Sequence, residues 1–182
     1  MLLLTLDTNA LRDLAWLLVK THEDRYPGQP DKAQETRQAF TKLLALRDAG
    51  KVELAVTTNL YSDFWKSRSV LPPHLNSLMG KHVSLATPTL FAFPLAFPTV
   101  FADMPMYERL FWDTFPGSRL GHRKYGDNRR DAWQLYTHLV AHRDVFVTTD
   151  KLILAREEIL RTKWAICVMA PIECIRFDTD RL

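Results

Sequence analysis

The chain has 182 residues, 47% hydrophobic and 25% charged, a balance that argues for one folded domain with its own core and against disorder. Its formal net charge of +3 permits a polyanionic partner without demanding one. No apolar run reaches the roughly 18 residues that cross a bilayer, and the run at residues 2–4 has neither the length nor the basic lead of a secretion signal, so a cytoplasmic protein with no membrane partner is expected.

Residues 2–6 (Leu-Leu-Leu-Thr-Leu) read as a short buried strand, and Thr8 or Asn9 is placed to cap the helix that follows, which carries Leu11, Leu14, Ala15 and Leu18 at helical spacing. Residues 22–30 hold Pro27, Gly28 and Pro30 and read as a loop. Asp31 is expected to cap a second helix with the apolar stripe Ala39, Phe40, Leu43, Leu44 and Leu46, stopped at Gly50. Residues 52–56 form a second strand, and Thr57-Thr58-Asn59 opens a helix to about residue 69. Through residues 72–126 the pattern weakens: the run from Leu90 to Pro98 is apolar but carries prolines where a central strand needs N–H donors. A helix is expected at about 106–115. Order returns with a helix over about 127–142, a strand at Val145-Phe146-Val147, a helix over 152–161 and a last strand over 164–169, followed by Pro171-Ile172-Glu173. Strands alternating with helices predict an open α/β protein with a central parallel sheet and helices on both faces.

Cys167 and Cys174 are the two cysteines. Neither belongs to a CxxC pair and no histidine cluster accompanies them, so they read as small buried residues rather than zinc or redox centres.

The informative residues are the acids at strand ends. Asp7 and Asp150 each follow an apolar strand and precede a helix. Either could simply cap its helix and meet the positive end of the macrodipole. Asp63 falls six residues after Thr57, and taken alone it reads as a solvated helix acid. Asp127 and Asp131 are spaced i, i+4 and share a helix face, a repulsive arrangement that Arg129 and Arg130 do not relieve because their offsets point elsewhere. Together the acids say more, because strand–helix junctions in a parallel sheet converge on one edge. Clustered carboxylates are driven toward protonation unless a cation compensates them. Oxygen-only donors in this number suit Mg²⁺ or Mn²⁺ rather than zinc, and a metal-dependent phosphodiesterase follows.

Several segments carry a family resemblance. Leu6-Asp7-Thr8-Asn9-Ala10-Leu11 resembles the opening motif of PIN (PilT N-terminus-like) domains, the nuclease fold of VapC-type toxins and RNA-processing enzymes. Residues 57–63 resemble the family's second segment, with Asp63 where the family usually has Glu. Asp131-Ala132-Trp133-Gln134-Leu135 resembles the helix start with the third acid, and Phe146-Val147-Thr148-Thr149-Asp150 the fourth motif, in which a Thr or Ser precedes the last acid by two residues. Pro171-Ile172-Glu173 fits the family's ending. The likeness covers residues 1–69 and 127–175 of one domain spanning 1–182, with an unmatched insertion at about 72–126. It implies a three-layer α/β/α sandwich and Mg²⁺- or Mn²⁺-dependent cleavage of single-stranded RNA, often by homodimers, with a small antitoxin as partner in the toxins. Carried onto this chain, Asp7, Asp63, Asp131 and Asp150 are the catalytic metal ligands, and Asn9, Thr148 and Asp127 support them, with Asp127 and Asp131 both open as the third ligand.

His122-Arg123-Lys124 and Arg129-Arg130 flank the third acid. Arg123, Lys124, Arg129 and Arg130 are the candidate phosphate contacts, a solvated basic loop being the plainer reading, with Lys66 and Arg68 further candidates. Tyr125, Trp133 and Tyr136 read either as base-stacking groups or as core. The run from Leu90 to Phe101 reads as core or as an apolar contact patch. Three other functions compete: a PIN-like scaffold that binds nucleic acid or protein without cutting, an aspartyl phosphatase, and a dinucleotide-binding protein. Asn9 stands where a phosphatase needs its second acid, and no GxGxxG follows the first strand.

Overall fold

The computed structural model describes residues 1–18, 26, 28–57, 83–85 and 103–179. Among these, five strands form one sheet: β1 (Leu2–Leu6), β2 (Val52–Thr57), β3 (Val83–Leu85), β4 (Val145–Val147) and β5 (Cys167–Met169). All pairings are parallel, in the spatial order β3-β2-β1-β4-β5. The described helices are α1 (Thr8–Leu18), α2 (Pro30–Asp48), α3 (Met104–Thr114), α4 (Tyr125–Val140), α5 (Lys151–Leu154), α6 (Glu157–Trp164) and α7 (Pro171–Thr179).

The central strands are apolar along their length because they are covered on both faces. Leu4 and Leu6 of β1 share one core with Val52, Leu54 and Val56 of β2 and Val145 and Val147 of β4; Leu11 and Leu14 of α1, Phe40 and Leu43 of α2, and Cys174 of α7 close it. Phe146 points the other way, into a second core with Tyr107 and Phe111 of α3, Leu135 and Tyr136 of α4, and Leu160 of α6. The result is the expected three-layer α/β/α sandwich with a central parallel sheet. Both cysteines are free, and burial pushes the Cys174 thiol up to about 12, in keeping with a structural residue.

Several local expectations are corrected. The cap of α1 is Asp7 itself rather than Thr8 or Asn9: its carbonyl accepts from Leu11 N at 2.9 Å and its carboxylate from Ala10 N at 2.6 Å. Asp31 lies inside the first turn of α2, whose cap is Gln29 with Pro30 next to it, since Pro is preorganised for the first helical position. The helix foreseen over 152–161 is two, α5 and α6, and the last strand begins only at Cys167. Ala165, in the left-handed region at φ 54°, closes α6 and lets Ile166 N donate to Leu160 O at 3.0 Å, so the residues before Cys167 are spent on the turn.

The unmatched middle segment contributes to the fold. It supplies the edge strand β3 and α3, and α3 is docked firmly on α4. Asp103 caps α3 by accepting from Met106 N at 2.9 Å, while its own N–H donates to Tyr136 Oη at 2.7 Å. Tyr107 Oη donates to Arg129 O at 3.0 Å, and its ring stacks on Trp133 with centroids 4.1 Å apart. The helix foreseen from residue 58 to 69 and the run from Leu90 to Phe101 lie outside the described residues. No helix among the described residues is long and apolar enough to cross a membrane.

Candidate active site at the carboxyl edge of the sheet

The chain leaves β1 toward β2 and β3 on one side, whereas β4 and β5 lie on the other. The carboxyl ends of β1 and β4 thus form the point where strand order reverses, the crevice in which open α/β sheets bind ligands. Asp7 ends β1 and Thr148 follows β4, with Asp7 N donating to Val147 O at 3.0 Å.

These two residues form a buried unit. The Thr148 hydroxyl donates to Asp7 Oδ2 and accepts from Asp150 N at 2.9 Å, so one hydroxyl ties both strand-end acids together. Asp150 also caps α5, its Oδ1 accepting from Leu152 N at 2.7 Å. Burial raises the Asp7 carboxyl to about 7; the Ala10 N–H and the Thr148 hydroxyl oppose this, and the nearby Asp150 and Asp13 add to it. Capping and delivery to the edge are therefore both true of Asp7 and Asp150.

An open cavity of about 730 Å³ occupies the crevice. From α1 it is lined by Thr8, Asn9 and Arg12; from α4 by Asp127, Asn128, Arg130 and Asp131; from the segment after β4 by Asp150 and Leu152. Arg123 and Lys124 enter from the preceding loop, where Gly121 at φ 84° permits the turn that brings them round. Asp7 is not among the lining residues and is buried, 5% exposed. Thus Asn9, Asp127, Asp131 and Asp150 share one cavity, whereas Asp7 and Thr148 are not in its lining and connect to it through the bond from Asp150 N to the Thr148 hydroxyl.

Other candidates fall elsewhere. Arg129 is not among the lining residues: it pairs with Glu108 at 2.6 Å and lies over the rings of Tyr107 and Phe111, 4.6 and 4.8 Å from their centroids. Arg130 does line the cavity and is paired with Asp127, which corrects the expectation that its offset points elsewhere: at i, i+3 the two share a helix face. Tyr136 is buried, and Tyr125 and Trp133 pack against the second core, the structural alternative for these aromatics. Asp63, Lys66 and Arg68 lie outside the described residues, and among the described ones no three His, Cys, Asp or Glu side chains come close enough to hold a metal ion together.

Sequence reasoning missed Arg12 and Asp13. Arg12 is one turn beyond Thr8 and Asn9, so their presence at the cavity implied its own. Asp13 is fully buried and accepts from Tyr26 Oη at 2.7 Å and from Thr149 Oγ1 at 3.3 Å; a polar residue on the inner face of a helix was the signal. Gln134 was also passed over. It is buried on α4 and its Nε2 donates to Thr8 Oγ1 at 2.8 Å, which holds the start of α1 against α4.

No protein-family model matches the chain, and no curated protein matches it. The fold by itself defines a parallel α/β protein whose strand-order reversal opens into a cavity lined by acids, with cations around them.

Proposed function

We propose that the protein is a PIN-like endoribonuclease that hydrolyses phosphodiester bonds of single-stranded RNA with Mg²⁺ or Mn²⁺. The likeness of its motifs to VapC-type toxins suggests the toxin half of a toxin–antitoxin pair as its setting. One observation carries the reading: Asp7 and Asp150 leave adjacent strands at the switch point joined through the Thr148 hydroxyl, and Asp150 lines a cavity together with Asn9, Asp127 and Asp131. That burial, with Asp150 and Asp13 adding to it, raises the cost of ionising Asp7, with no His or Cys among the described residues lining the cavity, fits a hard divalent cation.

In this reading Asp7, Asp131 and Asp150 would hold the ion, with Asp127 assisting and Asp63 a further candidate; as placed, no three of the described acids reach one point, so the set would have to draw together on the ion. A divalent ion held there would supply Lewis acidity toward water and the phosphate at neutral pH. The other tasks belong to the chain. Ala10 N–H and the Thr148 hydroxyl fix the orientation of the Asp7 carboxylate while each of its oxygens keeps a further lone pair. Asn9 orients ligands or water at the α1 side. Arg12, Arg123, Lys124 and Arg130 bind phosphates on either side of the scissile one and fix the backbone without reading its sequence. Purified protein is expected to cleave single-stranded RNA when Mn²⁺ is added and to stop when it is chelated. Asp7→Asn and Asp150→Asn should each remove cleavage while leaving the circular dichroism spectrum intact. Full activity in both variants would sink the reading.

A second reading, a PIN-like scaffold that binds nucleic acid or protein without cutting, is favoured by the engagement of Asp127 with Arg130. Titration calorimetry separates the two: heat of Mn²⁺ binding that disappears in Asp150→Asn supports the nuclease, and none at millimolar metal supports the scaffold.

A further inference from the structure

A second hollow, of about 210 Å³, lies beside the first and shares a wall with it. Thr149 and Lys151 line it, whereas Asp150 and Leu152 line the larger cavity. Alternate residues of the segment 149–152 thus serve the two hollows, and the segment is a ridge between them. The far walls are mainly apolar, with Leu154 of α5, Pro171 and Ile172 of α7 and the ring of Tyr26.

The hollow has a built wall and a charged mouth. Asp13 accepts hydrogen bonds from Tyr26 Oη and from Thr149 Oγ1, so one buried carboxylate fixes the aromatic wall to the ridge. Lys32 Nζ sits 4.5 Å from the centroid of the Tyr26 ring, and Lys32 and Lys151 are both exposed; Glu35 is the acid among the lining residues. The space is below the roughly 300 Å³ at which drug-sized ligand sites begin. A largely apolar slot with cations at its rim, one ridge away from the cavity proposed to take the phosphates, matches one nucleotide: the ring in the slot, its phosphate toward the lysines.

We propose that this hollow holds an unstacked base of the RNA strand whose backbone lies in the larger cavity. The inference rests on the nuclease reading above and sharpens it, because a base can enter the slot only from a single strand. Duplex RNA keeps its bases stacked and paired, and single-strand binders gain affinity from base contacts of this sort. Asp13 is then a positioning residue: it touches no RNA and acts by holding Tyr26 and Thr149.

The test uses the metal-free protein and a fluorescein-labelled single-stranded RNA of mixed sequence, read by anisotropy beside a ribose-phosphate strand of equal length without bases. Thr36, half-buried on the α2 wall, is replaced by Trp to fill the slot. Thr36→Trp should weaken RNA binding between about fivefold and a hundredfold, the worth of one base contact, and should not weaken binding of the abasic strand. Should Thr36→Trp fail to fold, Ile172→Ser, which removes an apolar wall, is expected to show the same pattern. RNA binding unmoved by both slot variants but weakened by the double variant Arg123→Ala, Lys124→Ala overturns the slot and leaves the nuclease reading standing. Absence of RNA binding by the wild type overturns both.

Discussion

At the scale of the residue, two buried titratable groups set how the metal-free protein answers to pH. Burial, with Arg143 close by, lowers His138 to about 3; its Nδ1 is hydrogen-bonded to Thr5 Oγ1 at 2.9 Å, so the ring stays neutral inside. As pH falls from about 6.5 toward 3 the unfolded chain takes up a proton that the folded chain refuses, and stability drops by about 1.4 kcal/mol per unit. Asp7 has the opposite sign. Its carboxyl is held at about 7 against an ordinary 3.8, so the folded chain keeps a proton that the unfolded chain has shed. That contribution is full below about 3.8 and is lost as pH rises through 7. In the presence of chelator the two offset each other between about pH 4 and 6.5, and urea midpoints of the wild type should vary little there on their account. Asp7→Asn removes one side, so the variant should lose about 1.4 kcal/mol per pH unit on acidification over this range. Equal slopes for wild type and variant would refute the raised Asp7 carboxyl.

At the scale of the element, the turns after α4 and α6 do work that periodicity does not report. His142 and Ala165 both stand at positive φ, 49° and 54°, where a Cβ is unwelcome. Ala165→Gly should therefore stabilise the fold by up to about 1 kcal/mol, seen as a higher urea midpoint with an unchanged slope. The turn at His142 delivers Arg143, whose side chain is 5% exposed. Its guanidinium pairs with Glu53 and donates to Leu4 O and Glu53 O, each at 3.0 Å, bridging β1 and β2. Arg143→Met should cost about 2–4 kcal/mol, because it strands two carbonyls and a partly buried carboxylate. A loss below about 0.5 kcal/mol, typical of a surface site, would refute the bridge. β3 escaped sequence reading because three residues show no period, and α3 was read only loosely because its value lies in what it touches on α4.

At the scale of the whole molecule, the net charge of +3 matters less than its arrangement. Arg12, Arg123, Lys124 and Arg130 reach one cavity from α1, the loop before α4, and α4 itself. If they bind the backbone of a single strand, log affinity should fall linearly with log salt, and Arg123→Ala and Lys124→Ala should each flatten the slope by about 0.7. Arg161→Ala on the exposed face of α6 serves as control and should leave the slope unchanged. Equal slopes for all variants would show that the cavity cations do not contact phosphate.

The sequence by itself determined the α/β class, the parallel sheet, β1, β2 and β4, and the strand-end positions of Asp7 and Asp150, because hydrophobic runs and the residues that end them are local signals. It also held Thr148 two residues before Asp150, a spacing short enough to predict contact. Only the tertiary structure decided which of the flanking side chains face the crevice. Arg123, Lys124 and Arg130 do, whereas Arg129, the neighbour of Arg130, is drawn away by Glu108 and the aromatic rings that α3 brings against α4. It likewise decided that Asp13, an unremarked helix acid in the sequence, is a buried post between Tyr26 and Thr149. The reason is common to both cases: the partners a side chain meets are set by what packs on its helix from distant parts of the chain. A polar residue on an apolar face can hint at burial, but no local pattern names what it will bind.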